Sequence, residues 1–198
     1  QSTAQSQKIK SEAFASTDTT IGSGTLTIAF GTYNGDGSFT ANTEKSAKTI
    51  TIDSGKSSLA DIRDAINDAN ADVTASIVND GSGNRLVIAS KDSGLANALK
   101  ITANDADGDH TNNAGLSKLA FDASTGGVTN MTETVAAKNA ILVIDGITIQ
   151  KSSNTIDDAL EGVTINLLKA EPGTTSTLTV EKDNSSIEEA LKSLVSTY

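Results

Sequence analysis

The sequence predicts an α+β chain rich in antiparallel strands, built as two related small units with one short helix apiece. Three observations carry that expectation. Short segments that alternate apolar and polar residues recur along the chain, the period of half-buried strands. One segment between them has helical spacing and a capping box. The order strand–strand–helix–strand–strand then occurs twice. Composition agrees: four Phe, two Tyr and no Trp leave the core to Ile, Val, Leu and Ala, and β-branched side chains suit a pleated, half-buried surface.

In the first unit the strand segments are 25–30 (TLTIAF), 48–53 (KTITID), 73–78 (VTASIV), 85–90 (RLVIAS) and 99–104 (LKITAN). Between the second and third lies 58–70 (SLADIRDAINDAN). Ser58 is placed to cap a helix and Asp61 follows three residues on, while Leu59, Ile62, Ala65, Ile66 and Ala69 share one apolar face. Residues 79–83 (NDGSG) carry turn chemistry between two strands and predict a hairpin.

The second unit opens with 140–145 and 147–150 around Asp145-Gly146, a strong hairpin signal. Asn154 is expected to cap a short helix reaching Leu160, with Ile156 and Leu160 on one face and Gly162 ending it. Strands are expected at 163–168 (VTINLL) and 177–182 (TLTVEK), with Pro172-Gly173 in the loop between. The polar stretch 105–130 reads as a linker or decorated loop whose middle, 116–121 (LSKLAF), is apolar enough to pack. Residues 1–16 read as a polar lead-in. At the other end Ser185 and Glu188 form a capping box for a helix with Ile187, Ala190, Leu191, Leu194 and Val195 at helical spacing. No Gly or Pro stops that helix before Tyr198, which is expected of a piece of a longer protein.

Composition closes many routes to chemistry. Fifteen Lys and Arg against 25 Asp and Glu leave a formal charge of −10, and no basic patch offers itself to nucleic acid. No Cys is present, which excludes disulfides, thiolate metal sites and a Cys nucleophile; one His cannot furnish a multi-His centre. No apolar run reaches the about 18 residues of a membrane-spanning helix, so no membrane insertion is expected, and no cleavable leader is apparent. Residues 104–110 (NDADGDH) are the clustered acidic candidate. A calcium loop opened at Asp105 would place Gly108 fourth and Leu116 twelfth, where Gly is needed sixth and Glu twelfth. The segment therefore reads as a solvated loop tip. His110 has no nucleophile motif beside it, and Gly22 and Gly24 lack the continuation of a phosphate loop. The pairs Asp157-Asp158 and Glu188-Glu189 are expected in helix first turns, where they complement the macrodipole. No residue is assigned as catalytic, cofactor-binding or metal-ligating, no cofactor is implied, and the chain reads as a non-enzyme.

Residues 152–167 (SSNTIDDALEGVTINL) resemble a signature stretch of the bacterial flagellar filament cap family, FliD or hook-associated protein 2. Residues 140–150 before it, Leu178-Thr179-Val180 after it and the closing 194–198 (LVSTY) fit the same family. Residues 58–67 (SLADIRDAIN) followed by 73–78 resemble the IN motif shared by flagellins and hook-associated proteins, and 4–8 (AQSQK) resembles the lead into the cap protein's middle region.

That resemblance implies the two outer, head-forming domains, D2 and D3, in a nested arrangement. Residues 1–19 with 131–184 would form one domain, 20–130 an inserted domain holding the IN motif, and 185–198 the start of a helix toward a leg domain. It implies a homo-oligomeric plate at the distal end of the flagellum that retains exported flagellin and promotes its assembly. The partners so implied are further copies of the chain and flagellin, with host mucin as an additional one. The location is extracellular, after export through the flagellar type III channel without a cleaved signal peptide. Two other readings stand beside it: an adhesin head for mucin or glycan, which six aromatics serve poorly, and a metal enzyme using 105–109.

Overall fold

The structure is a computed structural model and describes residues 1–171, 173, 174, 177, 191–193, 195 and 196. In chain order its elements are β1 (Lys8–Lys10), β2 (Gly24–Tyr33), β3 (Phe39–Ala41), β4 (Lys48–Ile52), α1 (Leu59–Asp68), β5 (Val73–Asn79), β6 (Asn84–Ser90) and β7 (Ala98–Asp105). After them come β8 (Thr132–Val135), β9 (Ala140–Ile144), β10 (Ile147–Lys151), β11 (Thr155–Leu160) and β12 (Val163–Asn166), with 3₁₀ turns at Leu95–Asn97 and Gly115–Leu119. The α+β, strand-rich class expected from the sequence is the class observed.

Two antiparallel sheets and α1 enclose the main core. In one sheet β2 is central: β7 pairs with it from Gly24↔Asp105 to Gly31↔Ala98, while β4 and β3 share its other side. The other sheet has the order β5-β6-β1-β8. The alternation of β2 and β6 turns Leu26, Ile28, Leu86 and Ile88 inward, all completely buried; each such side chain contributes about 1.5–3 kcal/mol of transfer free energy. Leu59, Ile62 and Ile66 of α1 fill the same cluster. The capping box is present as expected: the Asp61 amide donates to Ser58 Oγ at 3.1 Å and the Ser58 amide to Asp61 Oδ2 at 3.2 Å. The 79–83 hairpin joins β5 to β6, and the apolar middle of 105–130 packs, with Leu116 and Leu119 buried and Phe121 bridging Ile101.

Several expectations are corrected. Residues 1–16 are more than a lead-in: they carry β1, which lies between β6 and β8 with Ile9 wholly buried. Three residues are too short to display a period. Residues 155–160 form a strand, β11, where a helix was expected. Ile156 and Leu160 share a helical spacing, but they face Ile165 and Val163 across a hairpin with an irregularity between them, so the bulge imitates the helical repeat. Asn154 caps nothing. Its side-chain amide holds Ala4 by both backbone groups, at 2.7 and 3.0 Å. Asp157 and Asp158 therefore lie on a strand and complement no helix dipole.

The repeat of pattern between the two units is lost with that helix. Among the described residues from 140 to 166 the elements are two hairpins, β9–β10 and β11–β12. Asp145 and Gly146 take φ of 49° and 81°, the left-handed pair a two-residue hairpin turn of this hand demands. Among the described residues of the C-terminal stretch, 191–193, 195 and 196 are helical. The expected strand at 177–182, the Ser185 capping box and Glu188-Glu189 lie outside the described residues, except Thr177.

Candidate functional site

The acidic loop was the one place where sequence chemistry clustered, and its geometry is that of a structural turn. Asp105, the last residue of β7, is 5% exposed, contrary to a solvated tip. Its Oδ2 accepts the Ser117 amide at 2.9 Å and its Oδ1 the Asp107 amide at 3.4 Å, while its own amide donates to His110 Nδ1 at 3.0 Å. A carboxylate is buried here because backbone N–H groups replace its water. Asp107 and Asp109 are exposed; the Thr111 amide and hydroxyl hold the Asp109 carboxyl below the usual carboxylate range. No group of three His, Asp or Glu that could hold a metal occurs among the described residues.

Other charged groups are engaged in the same ordinary way. Burial of Asp122 raises its carboxyl, but hydrogen bonds from Lys100 and Ser124 outweigh it and leave the group below its usual range. Asp158 is held low by Lys151 at 2.5 Å across the hairpins. Tyr33 packs at a tilt against Phe39, meets Phe121 edge-on and donates its hydroxyl to the Leu99 carbonyl at 3.0 Å; burial pushes its phenol up to about 12. None of these places a nucleophile beside a base.

The geometry that stands out belongs to the IN segment. Ile66 is wholly buried against the sheets. Asn67, the next residue, turns its side chain to the free edge of β5: Nδ2 donates to the Ala75 carbonyl at 2.9 Å and Oδ1 accepts the Ala75 amide at 2.8 Å. One side-chain amide thus does what a neighbouring strand would do, and ties the end of α1 to the sheet. The sequence places Asn67 on the polar side of the helix; its reach to a residue eight positions on was not legible there.

Three surfaces surround this frame. The outer side of α1 borders a groove of about 320 Å³ lined by Asp53, Asp61, Asp64 and Asp68 with Thr51 and Lys56. A polar cleft of about 760 Å³ lies where the β3–β4 connection and residues 91–97 face Ser152 and Ser153. The hairpin half exposes Val143 and Ile147, the latter 66% open to solvent. Among the described residues no helix is long and apolar enough to cross a membrane.

Known proteins account for this architecture. The family model described as "Flagellin hook IN motif" matches residues 25–92, the stretch from β2 through α1 to the end of β6, and "Flagellar hook-associated protein 2 C-terminus" matches 137–198. Flagellar hook-associated protein 2 of Salmonella typhimurium strain LT2 is 39% identical over 171 residues, covering 83% of this chain. This chain spans 35% of that relative's length. The crystal structure of FliD (HAP2) from Pseudomonas aeruginosa PAO1 matches with a TM-score of 0.77 at 32% identity, over 100% of this chain and 83% of that one. The FliD D2-D3 domains from Escherichia coli, described as a flagellar cap protein, match with a TM-score of 0.72 at 36% identity, over 87% and 81%. By sequence and by fold, the chain belongs to the flagellar hook-associated protein 2 (FliD) family.

Proposed function

We propose that this chain is the outer, head-forming part of a flagellar filament cap, a homo-oligomeric plate at the distal tip that retains exported flagellin and promotes its assembly. The observation that carries the reading is the match to FliD structures along the chain at about a third identity. The role is structural and breaks no bond; the carboxylates and the His described above are engaged in turns and ion pairs. Partners are further copies of the chain and flagellin. The site of action is extracellular, reached through the flagellar type III channel. A mucin-binding role finds no aromatic platform among the described residues: Phe14, Phe30 and Phe121 are buried, and Tyr33 and Phe39 are half-buried.

We also propose the nested division, with 20–130 inserted between 1–19 and 131–184, and 185–198 leading into a leg domain. The pairing of β1 with β6 on one side and with β8 on the other supports moving the seam outward, to about residues 7 and 136. Deleting the gene tests the capping role. Free flagellin in the culture medium and cells bearing hooks without filaments are the expected result; normal filaments with no leakage would overturn it.

A further inference from the structure

Among the described residues, one turn carries hydrogen bonds from one half of the chain to the other. Residues 91–95, which leave β6, reach three separate segments of the hairpin half. Ser93 Oγ donates to the Ser152 carbonyl at 2.6 Å, the Gly94 amide to the Gln5 carbonyl at 3.2 Å, and the Leu95 amide to Asn139 Oδ1 at 2.8 Å. Gly94 sits at φ +101°, and a Cβ there would lie 2.5 Å from Ser152 Cβ and 2.8 Å from its Cα. The close approach thus needs both a left-handed backbone and the absence of a side chain. Lys45 braces the turn from the other side through Asp92, its ammonium over the Phe30 ring.

Little apolar burial backs these bonds. In residues 1–5 and 136–166 the buried apolar side chains are Ala4, Ala137, Ala140 and Ile156, and none of them joins the main core cluster. A contact of this kind, polar bonds over small side chains, resembles the mobile interfaces between domains more than a shared core. Among the described residues the chain crosses the seam just before β1 and just after β8, and the polar cleft at Ser152 and Ser153 opens beside the turn.

We infer that the 91–95 turn is a latch: it sets the angle between the two halves, and the hairpin half swings about the crossings near residues 7 and 136 when the turn is displaced. The consequence for a cap rests on the function proposed above. In a symmetric assembly the same angle recurs in every subunit, so the latch would set the shape of the whole plate.

The chain has no Cys, so Thr74→Cys on β5 and Thr148→Cys on β10, both exposed, give one spin-label pair spanning the seam. The parent pair is expected to show a single narrow distance. Gly94→Ala, which drives the turn off Ser152, is expected to broaden that distribution or shift its mean by several ångström, with the strand circular-dichroism signal retained. Ser93→Ala with Asn139→Ala removes two latch bonds without adding an atom and is expected to do the same; it decides the matter should Gly94→Ala not fold. An unchanged narrow distance in the folded double variant would overturn the latch. This distance is read on the isolated chain, so its outcome is independent of whether the deletion strain leaks flagellin.

Discussion

Asn67→Ala is the sharpest test of how the IN segment works. The substitution keeps the helix, since Ala is its best former, and deletes one amide whose two bonds, at 2.9 and 2.8 Å, hold Ala75. Ala75 is 4% exposed and lies on an edge strand with β6 on its other side. An unpartnered buried backbone group costs about 1–3 kcal/mol. Asn67 itself is exposed, so water can partly replace it, and the two groups together should cost about 2–3 kcal/mol. For a chain of this size that lowers the melting temperature by about 4–12 °C. Urea unfolding should show the loss as a lower midpoint with an unchanged slope, and hydrogen exchange should quicken first at Ala75. Asn67→Asp keeps the acceptor and sets a carboxylate against the Ala75 carbonyl, so it should destabilise comparably. A loss below about 0.5 kcal/mol, the scatter of ordinary surface substitutions, with Ala75 still protected would refute the clip.

The other predictions concern single sites. Ile9→Ala, at a completely buried position of β1, should cost about 2–5 kcal/mol in urea unfolding; a neutral result would mean that β1 is not a central strand. Tyr33 has a phenol raised to about 12 by burial, above its usual value of about 10. The unfolded chain then releases this proton first, so the contribution is present below pH 10 and is lost as pH climbs from 10 toward 12. Tyr33→Phe should flatten that alkaline fall in stability relative to the parent, and parallel curves would refute the assignment. Asp105→Ala should lower the melting temperature by removing the acceptor of the Ser117 and Asp107 amides, while millimolar calcium should leave the parent's melting temperature unmoved. A calcium-dependent rise would reinstate the loop as a metal site.

What the sequence disclosed and what it concealed follow one physical division. Strands β2, β4, β5, β6 and β7 are five residues or longer with one face in the core, so the alternation survives in the letters. Helix α1 announces itself through Ser58, Asp61 and an apolar face. Strands β1, β3 and β8 have three or four residues, too few for a period, and are set by partners more than 70 residues away or, for β3, by the hairpin to β2. The strand β11 was misread because its bulge puts Ile156 and Leu160 four apart, and because Asn154 and Gly162 are turn residues in hairpins as readily as caps in helices. Asp105 looked solvated because acidity and Gly content cannot reveal that Ser117, twelve residues on, brings an amide to it. The family was legible only through particular strings such as 152–167.

The two halves of this chain are stabilised by different means, and substitutions in them should act on different observables. In the sheets around α1, side chains such as Leu26, Ile62 and Ile88 are wholly buried in one cluster, so a truncation there leaves a cavity and lowers the unfolding free energy. In the hairpin half Leu142, Ile144, Ile149 and Ile165 are only half-buried, Asn154 grips Ala4 within that half, and the seam is closed by the Ser93, Gly94 and Leu95 bonds. Removing one of these forfeits about 0.5–1.5 kcal/mol where water can enter, too little to unfold the chain but enough to alter how the halves meet. Under the capping role proposed above, geometry is the functional quantity. Variants at the seam should therefore impair assembly with near-normal melting temperatures, while core variants should impair it only as far as they unfold the chain.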